Sequence, residues 1–97
     1  MLAFGWIDLT SPTVEWDSAQ VRRLAKRLGY ELCWPDACSV LGLVEQVELS
    51  GAMVVLLPST GHVDAVTLDR VLWVADVECA APRASFGRWA AFGGMQQ

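Results

Sequence analysis

The chain has 97 residues, 54% of them hydrophobic and 19% charged, with a formal net charge of −4 and a mean hydropathy of +0.35. That is enough chain for one domain. The apolar content excludes disorder, and 7 Lys and Arg against 11 Asp and Glu argue against a basic nucleic-acid module. No apolar run reaches the roughly 20 residues of a spanning helix, so a soluble domain is expected, with more apolar surface than so short a chain can bury.

Leu2 to Leu9 is an apolar run that predicts a buried first strand, closed by the turn residues Thr10-Ser11-Pro12-Thr13. A helix follows. Asp17 is the expected N-cap, with Gln20 three residues on as in a capping box and Trp16 and Val21 placed for a hydrophobic staple. Val21, Leu24, Ala25 and Leu28 mark its inner stripe, and Gly29 is placed to end it. Tyr30 to Trp34 predicts a short second strand. A second helix is expected from Ser39 to Leu49, with Val40, Leu43, Val44 and Val47 inward and Gly51 after it. Ala52 to Leu57 reads as a strand covered on both faces. After the loop Pro58 to His62, Asp64 can cap a third helix with Leu68, Val71, Leu72 and Ala75 inward, and Val77 to Ala80 would be a fourth strand stopped by Pro82.

The order β-α-β-α-β-α-β predicts an α/β domain: a flavodoxin-like three-layer form with a four-stranded parallel sheet in the order 2-1-3-4 and helices on both faces. It spans residues 1–82, with residues 83–97 an aromatic, Gly-rich tail and no separate domain. The cysteines Cys33, Cys38 and Cys79 are odd in number and no leader pattern precedes them, so reduced thiols and a cytoplasmic location are expected. His62 could join them around zinc, but no C-x-x-C pair exists, and neither a metal nor a cofactor is expected.

Sites in such sheets lie at the carboxyl ends of the strands. That brings together Asp8, Thr10 and Ser11 after strand one with Ser59, Thr60, His62 and Asp64 after strand three. Thr10 or Ser11 with His62 and Asp64 would supply a hydroxyl, an imidazole and a carboxylate for nucleophilic catalysis. The same residue types are common as turn formers and helix caps. Asp8, Ser59 and Thr60 form the expected ligand rim. There is no G-x-S-x-G elbow and no Gly-rich phosphate loop. Arg22, Arg23, Lys26 and Arg27 cluster on the first helix, where they can meet DNA or an acidic partner, or simply complement the helix dipole near its C-terminus.

The layout over residues 2–82 resembles the catalytic domain of serine recombinases, the resolvase/invertase family. That family's opening G-Y-x-R-x-S strand corresponds here to Gly5-Trp6-Ile7-Asp8-Leu9-Thr10, and its A-x-x-x-G-Y helix end to Ala25-Lys26-Arg27-Leu28-Gly29-Tyr30. Asp8 stands where the resemblance calls for arginine and Thr10 where it calls for the nucleophilic serine, with Ser11 one place late. The family's D-R-L-x-R segment should begin near Thr60. Leu68-Asp69-Arg70 mimics it about two helical turns too late. Transesterification of a phosphodiester needs cations around the developing charge, so the resemblance implies a degenerate domain without recombinase chemistry.

The expected function is therefore a non-catalytic interaction or regulatory module that self-associates as a homodimer or other homo-oligomer, with a further protein partner possible. The tail residues Phe86, Trp89 and Phe92 would form its interface, since aromatic side chains concentrate at interface cores. The alternatives are a DNA-associated accessory protein, disfavoured by the net charge, and a small hydrolase-like enzyme using the rim. No membrane association is expected.

Overall fold

The computed structural model describes residues 1–36 and 38–89. In chain order the elements are β1 (Leu2–Gly5), α1 (Val14–Leu28), β2 (Glu31–Cys33), α2 (Leu43–Ser50), β3 (Val54–Leu57), a 3-10 turn (Thr60–His62), α3 (Ala65–Val71), β4 (Asp76–Ala80) and β5 (Arg83–Phe86). The fold is α/β, with a single sheet in the order β2-β1-β3-β4-β5. The pairs β1–β2, β1–β3 and β3–β4 are parallel.

The sheet is mixed, not the expected purely parallel four-stranded one. β5 pairs antiparallel with β4, in the register Val77↔Phe86 and Cys79↔Ala84. Only Ala81 and Pro82 separate the two strands, and so short a link permits a hairpin but no crossover. Arg83 bridges to Glu78 at 2.8 Å, and the Ser85 hydroxyl donates to the same carboxylate. The segment from Arg83 thus extends the sheet. Phe86 is packed against the core of its own chain.

Successive strand residues point to opposite faces, and the core divides accordingly. Phe4, Val55, Leu57, Val77 and Cys79 pack with Leu43 and Val47 of α2 and Val71 of α3. Ala3, Val54 and Leu56 pack with Val21, Leu24 and Ala25 of α1. All of β3 is buried, as its unbroken apolar run requires.

Two helix starts differ from expectation. Thr13, not Asp17, is the N-cap residue of α1, and the Asp17 amide already bonds the Thr13 carbonyl at 2.8 Å. Pro12 sits just before that cap, where its fixed φ leads the chain into the first turn. Trp16 therefore lies inside the helix and is exposed, so it forms no staple before a cap. α2 begins at Leu43, not Ser39, with Gly42 at its N-cap. The Ser39 hydroxyl accepts the Leu41 amide, a local turn that competes with helix, and leaves Val40 98% exposed rather than inward. Gly29 and Gly51 close α1 and α2 at φ 76° and 75°, a conformation that costs any residue with a Cβ.

Among the described residues, no helix is long and apolar enough to cross a membrane, and no three His, Cys, Asp or Glu converge to hold a metal. Cys33, Cys38 and Cys79 are free thiols.

Candidate functional site

The loops after β1 and β3 meet at the carboxyl end of the sheet. Asp8 folds its own loop: Oδ1 accepts the Thr10 amide at 2.9 Å and the Thr10 hydroxyl at 2.7 Å. Those bonds, the hydroxyl's first, hold the Asp8 carboxyl below its usual range. After β3, the Ser59 hydroxyl accepts the Gly61 amide and the Ser59 carbonyl accepts that of His62, so Ser59 and Thr60 build the 3-10 turn that delivers the imidazole.

His62 joins the two loops. Its Nδ1 accepts the Asp8 amide at 2.9 Å, and its Nε2 lies 3.6 Å from Oδ2 of Asp17. The Ser11 hydroxyl donates to that same Oδ2 at 2.7 Å, and the Thr13 hydroxyl reaches the carboxylate at 3.3 Å. Asp17 is only 4% exposed. Ser11 and His62 are thus brought together through Asp17, not through Asp64. Asp64 is committed elsewhere: its Oδ1 accepts the Thr67 amide at 2.7 Å as the N-cap of α3, and this bond holds its carboxyl below the usual range.

This order of bonds is the reverse of a nucleophile relay. A relay places the carboxylate on one imidazole nitrogen and the hydroxyl on the other. Here Nδ1 is occupied by an amide N–H, which assigns the ring proton to Nε2, facing the carboxylate. The Ser11 hydroxyl donates to the carboxylate and makes no bond to the imidazole. Thr10 donates to Asp8 and is equally removed from the imidazole. The cluster ties β1, α1 and the β3 loop together.

Sequence reasoning missed Asp17 as the centre of this cluster. Its signal was the pair Thr13 and Asp17 at i, i+4 behind Ser11-Pro12, which puts two hydroxyls within reach of a carboxylate one turn into the helix. It also missed the contribution of β2. A pocket of about 710 Å³ lies over the ends of β1 and β2, and its lining includes Trp6, Trp34, Asp8, Asp36, Arg22 and His62. Gln46 of α2 holds its outer wall: Oε1 accepts the Asp36 amide at 3.3 Å and Nε2 donates to the Leu41 carbonyl at 2.9 Å. A second hollow, of about 450 Å³, lies between Trp6, His62, Asp64 and Thr67.

The remaining candidates are dispersed. Arg22, Arg23, Lys26 and Arg27 are all exposed on α1, and only Arg22 borders the pocket. Trp89 folds onto its own chain: its amide donates to the Leu72 carbonyl at 2.7 Å, its Nε1 donates to Asp69 at 3.1 Å, and its ring lies 6.5 Å from that of Trp73. Phe92 lies outside the described residues. No protein-family model matches the chain, and no curated protein or solved structure matches it either.

Proposed function

We propose that the chain is a non-catalytic, recombinase-like domain of flavodoxin-like three-layer form that acts as a self-associating interaction module. The placement of α1 against one face of the sheet and of α2 and α3 against the other supports the three-layer reading. The bonds of His62 support a structural role for the rim. At the recombinase arginine position, Asp8 presents a carboxylate already folded onto Thr10, which would repel a phosphodiester.

The observation that carries self-association is the exposed apolar surface on α3 and beside it. Val66 is 70% exposed, and Trp73, though paired with Trp89, is 59% exposed. Burying an indole pair in a two-fold interface needs no partner but a second copy, because the same patch faces itself. The DNA reading keeps its four exposed cations, but on a chain of net charge −4.

The test is sedimentation equilibrium of the whole chain and of Trp73→Glu. Trp73 contributes little to the monomer core, so the variant should keep the native circular dichroism and sediment as a monomer while the parent sediments as a dimer. A parent that is monomeric at every concentration reached overturns the proposal. Truncation after Pro82 is a poor substitute, because it removes β5.

A further inference from the structure

We propose that the pocket at the ends of β1 and β2 binds a methylated ammonium head group, held between Trp6 and Trp34 and opposite the carboxylates of Asp8 and Asp36. The pocket lies beyond the carboxyl ends of parallel strands, the end at which open α/β sheets take ligands, and it meets the β1/β3 reversal of strand order through Asp8 and His62. A volume of about 710 Å³ lies within the range of small-molecule sites.

The two indoles stand on different flanks of the crevice. Trp34 rests on Gly5: a Cβ built at Gly5 would lie 2.8 Å from Cζ3 of the indole. Trp6 follows Gly5, and the pleat turns its side chain to the other face, where it packs beside the core under α2 and α3. The absence of a side chain at Gly5 is thus what lets the Trp34 ring lie over the end of β1. The outer wall is preorganised as well, by Gln46 and by the Asp36 carboxylate, whose Oδ1 accepts the Cys38 amide at 2.9 Å.

The charge selects a cation. Asp8 and Asp36 each spend Oδ1 on loop bonds and have a second oxygen to offer, against the single cation Arg22 among the lining residues. His62 adds no acceptor, because its Nδ1 is taken by the Asp8 amide. Indole faces attract quaternary ammonium groups more strongly than other aromatic rings do. The apolar methyls of such a group also suit the flanking Leu9 and Leu41, both exposed without a ligand.

Three probes of one shape separate charge from fit: choline, its uncharged carbon isostere neohexyl alcohol, and the tert-butylacetate anion. Binding is followed by amide chemical shifts on the whole chain. Choline should bind about tenfold more tightly than the alcohol, and the anion should not saturate. The shifts should centre on Gly5, Leu9 and Ser39. Asp8→Asn with Asp36→Asn keeps both loop acceptors and should remove most of the choline preference while leaving the alcohol's affinity unchanged. Equal binding of choline and alcohol, tighter binding of the anion through Arg22, shifts centred on Trp73 instead, or no saturation by any probe each overturns the assignment. Since none of these readouts is oligomeric state, the outcome is independent of self-association.

Discussion

Three donors converge on the Asp17 carboxylate: the Ser11 hydroxyl, the Thr13 hydroxyl and, more distantly, Nε2 of His62. A buried carboxylate is tolerable only when its oxygens are satisfied, and no buried side-chain polar atom among the described residues lacks a partner. Removing the carboxylate takes away the acceptor of the Ser11 and Thr13 hydroxyls and the acidic neighbour of His62 Nε2 at once. Asp17→Ala is therefore expected to lose about 2 kcal/mol of stability in urea denaturation. Asp17→Asn, which keeps one acceptor oxygen, should lose less. If Asp17→Ala unfolds at the parent's midpoint, the cluster is not holding the loops together. The sequence disguised Asp17 because Gln20 three residues on and Trp16 before it imitate a capped helix start. Which carboxylate would reach His62 was set by tertiary contact across 45 positions, and no local spacing encodes that.

At the scale of elements, the legible features were those whose cause is local. The Asp64 cap, the glycines after α1 and α2, and the buried run of β3 each follow from a few neighbouring residues. The start of α2 was illegible because Ser39 satisfies Leu41 in a turn, and β5 because Arg-Ala-Ser-Phe is short, half-exposed and preceded by proline. Edge strands gain their definition from the neighbour they pair with, so their own residues say little. The pocket was half legible. Its β1 rim was expected, and so was β2 beside β1, whereas the Trp34 wall depends on the indole resting on Gly5, a contact that no local spacing encodes. α3 has only 7 residues, too few to be stable without packing and caps. Asp64→Ala removes the acceptor for the Thr67 amide and is expected to lower the urea midpoint. Asp64→Asn should recover most of that loss. Equal midpoints for the parent and Asp64→Ala would show that the cap contributes nothing.

For the molecule as a whole, the apolar excess is resolved by where the tryptophans sit. The core is built chiefly of valine, leucine and alanine, with Phe4, Ile7 and Cys79, and none of the 5 tryptophans is among its buried residues. They line the pocket, border α3 or face solvent, so the surplus is a property of the surface. The ionisable groups then bound the stability of this core from both sides. Asp8 and Asp64 have carboxyl pKa values lowered from the usual 3.8 by their hydrogen bonds. A group depressed in the folded state binds its proton first in the unfolded chain, so the stability it contributes is complete above the usual value and is lost as pH falls through the folded one. Burial pushes the Cys33 and Cys79 thiols above the usual 9.0. Their contribution is complete below that value and is lost as pH rises through the folded one. These four groups should therefore lower the urea midpoint at the two ends of the pH range. Asp8→Asn with Asp64→Asn should flatten the acid limb and leave the alkaline limb unchanged, while Cys79→Ala should reduce the alkaline limb alone. An acid limb equally steep in the double variant would assign the loss to other carboxylates.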